Sequence, residues 1–576
     1  MKSTATKHIK SRAIVIGIFF SLFFAAIGAK AVYLQIHHGP RLSRKAADQY
    51  ESSFKSTGKR GTIYDTRLAE MAVSIDVISI AAYPPRIDDV RAVAKSLAKI
   101  LKIDLKALQG RLSSKKKFVW VKRRAAPKET LAVKNLNIAG IDFITEHKRF
   151  YPNKTLAAQV LGFTNIDDSG LEGIEFYYDN YLQGASGSFT VIKDALGRGF
   201  EAEDNQLPNY SGNSLILTLD RTIQYIAEKT LEETVNKFAA RSGIVIVMVP
   251  ETGALLAVAH YPFFNPNAFR SFSQEDWRNR SITDPFEPGS TMKIFSAAAA
   301  LESGSSAPNS SYFCENGAYK IGKNVVHDTH SYGWLTLPQI IKLSSNIGAV
   351  KLSEITGPEA LYKILKDFGF GTKTGIDCPG ETVGSLAHYN RWTNIDAGTI
   401  AFGQGISVSA LQLITAASAI ANNGMLMKPY IVQAITDQNG GLQETFGPQT
   451  IRRAVSPATA RTMARIMQTV IAKGGTGINA ALEGYSAGGK TGTAQKIDEQ
   501  GEYTNEKYTA SFVGFAPAEK PKVAILVVID EPSKGHYGGV VAAPAFRKIA
   551  NKTLNYLNIP PENKTDKLTA SLENEA

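Results

Sequence analysis

Three short runs, Ser290-Thr291-Met292-Lys293, Ser344-Ser345-Asn346 and Lys490-Thr491-Gly492-Thr493, hold the residue types that acyl transfer needs. A serine hydroxyl is a weak nucleophile until a neighbouring base takes its proton. Ser290 follows Pro288-Gly289, a break in the chain, and precedes the helix-forming run Ile294 to Ala300. The spacing therefore predicts Ser290 at a helix N-terminus, with Lys293 on the same face one turn on. An ammonium group is not a base, so Lys293 must spend part of its time neutral. Burial, the positive end of the helix and a second cation all push a lysine pKa down, and Lys490 is the natural second cation. Thr491-Gly492-Thr493 reads as a strand whose glycine lets a substrate backbone come close. Ser344 offers a hydroxyl to carry a proton to a leaving amine, and Asn346 an amide to hold both substrate and lysine. Taken singly, each run has a plainer meaning as a helix cap, a turn or a hairpin bend. Ordered together with wide spacers, they favour nucleophilic acyl transfer.

The ordered triple is similar to the motif set of the penicillin-binding proteins and class A β-lactamases. The lead-in Arg278-Asn279-Arg280-Ser281-Ile282-Thr283-Asp284-Pro285-Phe286-Glu287-Pro288-Gly289 resembles that of the division-specific class B penicillin-binding proteins, the septal peptidoglycan transpeptidases. Leu217-Thr218-Leu219-Asp220-Arg221, Phe402-Gly403-Gln404-Gly405-Ile406-Ser407 and Tyr537-Gly538-Gly539 extend the likeness. Upstream, Arg60-Gly61-Thr62-Ile63-Tyr64-Asp65 and Gly170-Leu171-Glu172-Gly173-Ile174-Glu175 are similar to the family's pedestal motifs. The likeness runs from Arg60 to Ile549. One departure is Thr66-Arg67 after Asp65, which displaces the usual arginine by one position without touching the three motifs.

The resemblance implies a membrane-anchored serine D,D-transpeptidase that crosslinks peptidoglycan stem peptides ending in D-Ala-D-Ala and is acylated by β-lactams, with no cofactor. It assigns catalysis to Ser290, Lys293, Ser344, Asn346 and Lys490, and substrate binding to Thr491, Gly492 and Thr493. The oxyanion hole falls to the backbone N–H groups of Ser290 and Thr493, where developing negative charge needs fixed donors. Membrane-embedded division and glycan-polymerising proteins are the implied partners. Two alternatives stay open: a D,D-carboxypeptidase or β-lactam-hydrolysing relative, and a protein whose main work is interaction within a division complex.

At 576 residues the chain exceeds one ordinary core, and 44% hydrophobic with 20% charged residues marks it as globular. Its 65 Lys and Arg against 52 Asp and Glu give +13. The positive charge is spread out, densest at Lys115-Lys116-Lys117 and Arg123-Arg124, and no nucleic-acid module accompanies it. A membrane face or an anionic wall polymer is the more economical partner than nucleic acid. Ala13 to Ala29 carries no charge and follows Lys2, Lys7, Lys10 and Arg12, the pattern of a single span with its basic flank inside. A cleaved signal peptide is the rival, because Ala29-Lys30-Ala31 fits a small-x-small site. Either way the remainder is exported, which places Cys314 and Cys378 where a disulfide is permitted but not demanded. His327 and His330 read as loop residues without a third metal ligand.

The expected fold is mixed α/β: a cytoplasmic tail at 1–12, a transmembrane anchor at 13–36, an α+β pedestal at 37–205, a transpeptidase domain at 206–559 and a polar, disordered tail at 560–576. In the pedestal, Asp88 to Ile103 has helical apolar spacing and Phe118 to Val121 reads as a strand. In the second unit, Asp220 caps a helix over Ile223 to Phe238. Ile244 to Val249 and Ala254 to Ala259 form a hairpin across Pro250-Glu251-Thr252-Gly253. Late strands at Tyr485 to Gln495, Tyr508 to Ala516 and Val523 to Asp530 precede a helix over Ala543 to Leu557. An early hairpin and late strands imply one largely antiparallel sheet covered by helices. Ser290 and Ser344 come from the helical middle and Lys490 from the sheet edge, so the site is expected at that seam.

Overall fold

The run Ser242–Met248 is buried at every position, and the motif-bearing half of the chain is built outward from it. The computed structural model describes residues 3–39, 41, 51–184, 186–193, 199–200, 211–498 and 500–562. In chain order, the strands of its two large sheets begin with Ile63–Tyr64 (β1), Glu70–Ala82 (β2), Val119–Ala125 (β3), Ile141–Phe150 (β4), Ser214–Leu217 (β5), Ser242–Met248 (β6) and Leu255–Tyr261 (β7). Asn324–His327 (β8) belongs to a small hairpin. Val432–Thr436 (β9), Leu442–Thr445 (β10), Gly488–Ile497 (β11), Tyr503–Ala516 (β12) and Val523–Asp530 (β13) complete the set. The helices that cover the site are Arg221–Phe238 (α1), Lys293–Glu302 (α2), Leu337–Leu343 (α3), Asn346–Thr356 (α4), Ala410–Ala421 (α5), Pro457–Ile471 (α6) and Ala543–Tyr556 (α7).

Five strands form an antiparallel sheet in the order β7-β6-β13-β12-β11, so the early hairpin does pair with the late strands. Successive side chains of a strand point to opposite faces, and this sheet is covered on both. Val245 and Val247 of β6, with Ile525 and Val527 of β13, pack with Ile223, Leu231 and Phe546 of α1 and α7. Ile244, Ile246 and Met248, with Leu526, join Phe295 of α2, Leu413 of α5 and Met467 of α6 on the other face. Each such aliphatic side chain contributes roughly 1.5–3 kcal/mol by leaving water. Two-sided burial explains why these strands read as unbroken apolar runs and not as alternating ones. Strand β11, which carries Lys490, is the sheet edge. Asp220 caps α1 by accepting from Thr222 N and Ile223 N, as its position predicts.

The second large sheet has seven strands, β10-β9-β5-β1-β2-β3, with β4 also paired to β2. Strand β5 pairs in parallel with β1 and antiparallel with β9, so hydrogen bonds join the upstream segment to the motif-bearing one. Residues 59–184 accordingly belong to one compact unit with those from 211 onward. The expected boundary at 205/206 lies outside the described residues. The pedestal helix runs Val90–Leu101, shorter than expected because Asp89 caps it, and the strand over Val119–Ala125 extends four residues past its expected end. Of the tail expected from residue 560, Glu562 accepts from Ser486 N and Ser486 Oγ, both at 2.7 Å, and residues 563–576 lie outside the described residues. A separate unit holds the amino-terminal helix Ser3–Val32 and a three-stranded sheet of Glu51–Thr57, Ser186–Lys193 and Gly199–Phe200. Among the described residues one helical stretch, Ile9–His37, is long and apolar enough to cross a membrane.

The two pedestal motifs meet in a buried ionic cluster. Arg60 donates to Glu175 Oε2 and to Asp179 Oδ1, both at 2.6 Å. Arg149 donates to Glu175 Oε1 at 2.6 Å and to Gly61 O at 2.6 Å. Arg60 is 2%, Arg149 4% and Glu175 0% exposed. Burial by itself would raise the Glu175 pKa, but the two guanidinium groups outweigh it and hold the carboxyl below its usual range. Removing one partner of such a cluster leaves uncompensated buried charge, at about 3–5 kcal/mol. Glu175→Gln is therefore expected to lower the unfolding free energy by about that amount in denaturant titrations. Because the folded-state pKa is depressed, the contribution is present above the unfolded value near ~4.3 and is lost as pH falls. The acid-side loss of stability should be shallower in Glu175→Gln than in the parent, and equal slopes would contradict the assignment.

Candidate active site

Ser290 lies in a single 3-10 turn, Gly289–Met292, that leads into α2 at Lys293. The expected helix N-terminus is present, but its first turn is tighter than α. Gly289 adopts φ +54°, and Gly403, at φ +90°, presses against it: a Cβ on Gly403 would sit 2.1 Å from Gly289 O. Gly289 N donates to Gly403 O at 3.1 Å. The run Phe402 to Ser407 is thus the cradle of the serine turn, a role its sequence does not disclose.

The three motifs converge on two buried lysines. Lys293 Nζ is 3.0 Å from Ser290 Oγ, 2.6 Å from Ser344 O, 3.2 Å from Ser344 Oγ and 2.7 Å from Asn346 Oδ1. Lys490 Nζ is 2.9 Å from the same Ser344 Oγ and 3.0 Å from Thr491 O. Both lysines are 0% exposed, whereas Ser290, Ser344 and Asn346 are partly open to solvent. Ser344 caps α3 at φ +62°, a left-handed conformation that costs a residue with a side chain roughly 1–2 kcal/mol. That conformation sets its hydroxyl between the two amines. The five residues expected to act together are therefore in one hydrogen-bonded group.

Burial pushes Lys293 down to about 7, and the carboxylate of Asp328 opposes it. Burial pushes Lys490 well below the ordinary lysine range, and the facing Lys293 adds to that. Burial, one of the causes expected, is the largest for both amines, and their mutual repulsion disfavours two protons on the pair. The acceptors around Lys490, namely Ser344 Oγ, Thr491 O and Thr491 Oγ1, are all uncharged.

Along β11, Thr491 Oγ1 is 3.0 Å from Thr476 Oγ1, and Thr493 Oγ1 accepts from Gly538 N at 3.1 Å. The latter bond gives Tyr537-Gly538-Gly539 its place beside the third motif. A Cβ on Gly492 would meet Ser511 Oγ at 2.2 Å and Thr291 Cγ2 at 2.9 Å. What approaches closely at Gly492 is the serine turn and the neighbouring strand, so its glycine is needed for packing.

Asp328 escaped the sequence reading, which weighed only the histidines flanking it. Its carboxylate accepts from Ser345 Oγ at 2.6 Å and Ile347 N at 3.1 Å. His327 ends strand β8 and its backbone oxygen accepts from Asn346 Nδ2 at 2.9 Å, leaving the second amide hydrogen of Asn346 for another acceptor. Cys314 and Cys378 are free thiols, both buried. Among the described residues no group of three or more His, Cys, Asp and Glu is placed to hold a metal ion.

Comparison with known proteins identifies the family. Residues 243–551 match the penicillin-binding protein transpeptidase domain and residues 55–217 the penicillin-binding protein dimerisation domain. The probable peptidoglycan D,D-transpeptidase PenA of Neisseria meningitidis is 36% identical over 559 residues, covering 96% of this chain and 93% of that protein. The peptidoglycan D,D-transpeptidase FtsI of Escherichia coli is 34% identical, covering 90% of this chain and 86% of the relative. The solved structure of penicillin-binding protein 3 from Mycobacterium tuberculosis, complexed with aztreonam, superimposes with a TM-score of 0.69 at 28% identity, over 88% of this chain and 98% of that one. With the lysine-bridged serine in place and both domain models matched in order, the chain belongs to the class B penicillin-binding proteins, the serine D-Ala-D-Ala transpeptidases of peptidoglycan synthesis.

Proposed function

We propose that this chain crosslinks stem peptides at the division septum through an acyl-enzyme on Ser290, held to the plasma membrane by its amino-terminal helix. The observation that carries the reading is the 3.0 Å contact between Lys293 Nζ and Ser290 Oγ, with Lys293 fully buried and its pKa brought to about 7. A general base works best when its pKa lies near the operating pH. Neutral Lys293 takes the proton of Ser290, whose oxygen attacks the D-Ala-D-Ala carbonyl. The backbone N–H groups of Ser290 and Thr493 hold the oxyanion. The amide C–N bond breaks, and the leaving D-Ala amine receives a proton through Ser344, which touches both lysines. An amine of a neighbouring stem peptide then attacks the ester and restores the serine hydroxyl.

Lys490, Thr491 and Thr493 receive the terminal carboxylate of the substrate, with Gly492 between them on the same strand. That carboxylate supplies the counter-charge the Lys490 pocket lacks, so its arrival favours the ammonium form of Lys490. The septal assignment rests on the resemblance of Arg278 to Gly289 to the division-specific members. Membrane-embedded division and glycan-polymerising proteins are the proposed partners, and the pedestal assigned to 37–205 is their proposed seat. The basic residues that precede the helix support a position of the catalytic part outside the cytoplasm, in the periplasm.

A labelled penicillin followed by mass spectrometry tests the chemistry. Ser290→Ala should abolish labelling, and an adduct mapped to Ser344 would refute the nucleophile. Lys293→Arg should slow acylation roughly 10²–10⁴-fold although it keeps the charge, because arginine stays protonated. In the parent, acylation should rise as pH rises through about 7, where Lys293 loses its proton. Lys490→Ala should slow acylation by an anionic β-lactam more than by its ester, since only the anion gains a charge-assisted bond. Equal losses would limit Lys490 to tuning Lys293. The anchor is read separately: amino-terminal sequencing of the mature membrane protein should begin near Met1, whereas a start after Ala31 would identify a cleaved signal.

A further inference from the structure

Asp328 lies in none of the three motifs, yet it grips the middle one. Ser345 Oγ donates to its Oδ2 at 2.6 Å, Asn346 N to its Oδ1 at 2.5 Å, and Ile347 N to the same Oδ1 at 3.1 Å. A carboxylate at a helix N-terminus meets both unsatisfied N–H groups and the positive end of the dipole, and α4 has 11 residues to generate one. Through His327 O, the adjoining residue takes Asn346 Nδ2 at 2.9 Å. The side-chain amide of Asn346 is thereby fixed at one end by the end of β8 and turned so that Oδ1 meets Lys293 Nζ at 2.7 Å. Two buried amines share the space beyond, Lys293 from α2 and Lys490 from β11, and they are bridged by one serine hydroxyl. Asp328 is the acidic group whose field reaches Lys293, while Lys490 is the basic group facing it.

We propose that Asp328 is a positioning residue for acyl transfer: it holds the backbone of Ser345-Asn346-Ile347, and with it the residue whose side-chain amide meets Lys293, and its negative charge acts on the buried Lys293 amine. Two effects follow from one side chain. The clamp orders the second motif, and the charge offsets part of the burial that drives Lys293 toward neutrality, which keeps it a competent acceptor for the serine proton. Without that charge Lys293 would lose its proton at lower pH and become a weaker base. An asparagine at 328 could keep one oxygen for the two backbone N–H groups, but it would turn an N–H toward Ser345 Oγ and so reverse that bond.

The inference rests on the reading of Lys293 as the base, and the test separates the two. The full chain in detergent is acylated with a labelled penicillin across a pH series, for the parent, Asp328→Asn, Asp328→Glu and Ser345→Ala, with thermal melts to verify folding. Asp328→Asn should slow acylation roughly tenfold or more, as small misplacements of catalytic groups do. It should also move the acidic limb of the rate profile down by roughly half a pH unit or more, as loss of a nearby opposite charge requires. Ser345→Ala, which removes one bond of the clamp but keeps the charge, should slow the reaction with the limb unmoved. Asp328→Glu, charged but displaced, should keep most of the limb position at a reduced rate. A limb in Asp328→Asn that coincides with the parent's overturns the proposal, as does a shift in Ser345→Ala or Asp328→Glu as large as that expected of Asp328→Asn. If Asp328→Asn does not fold, those two charge-retaining variants still decide the matter by the same criterion. A parent chain not acylated at Ser290 at all defeats the base assignment itself.

Discussion

Two lysines with no exposed surface share one serine hydroxyl, and this pair constrains everything around it. Two like charges in a dry space cannot both persist, so the pair holds fewer protons than two free lysines would. The surroundings supply uncharged acceptors: Ser344 O, Asn346 Oδ1 and Thr491 O. A carboxylate in direct contact would have fixed Lys293 as an ammonium ion. Asp328 instead reaches the pair at one remove, through the backbone and side chains of the second motif.

The scaffold follows from the need to bring three distant segments to that pair. Lys293 arrives on α2, packed in the interior, Ser344 at the end of α3, and Lys490 on the edge strand β11. The sheet is rigid because both faces are filled, and its edge leaves β11 one side open to the serine turn. Gly403 and Gly492 let their segments close on that turn at separations that a Cβ would forbid. Within the group of five, strain is accepted at Ser344, where the left-handed backbone is held by the helix cap and by Lys293 on its carbonyl.

The upstream segment is tied to this scaffold by a different kind of interaction. Arg60, Arg149 and Glu175 exchange charge-assisted bonds in the interior, and strand β5 continues the same sheet into the motif-bearing segment. Asp377 adds a second tie, accepting from Ile431 N and Val432 N at 2.8 Å each and from Tyr178 Oη at 3.1 Å. Such ties are specific in geometry, which suits a segment that must hold a fixed position although it contains none of the three motifs.

The motifs, the order of strands and helices and the long apolar helix were legible in the sequence because each is local. A serine three residues before a lysine, an apolar run bounded by turn residues and a capping aspartate all act within a few residues of chain. The likeness to class B penicillin-binding proteins was legible for the same reason, since it resides in short runs such as Arg278 to Gly289. Asp328 was not legible, because it caps a helix whose first residue is eighteen positions away and nothing local marks it as a cap. Nor was the pairing of Arg60 with Glu175, 115 residues apart. The sheet shared across the expected domain boundary was hidden too, because strand partners are chosen by three-dimensional register. The lowered basicity of Lys293 and Lys490 was hidden as well, because it depends on how deeply both are buried and on the Asp328 carboxylate near Lys293. Residue types and spacing thus determined what chemistry the chain can perform, while packing alone decided the protonation of its groups and what holds them, because desolvation and long-range contact exist only once the chain has folded.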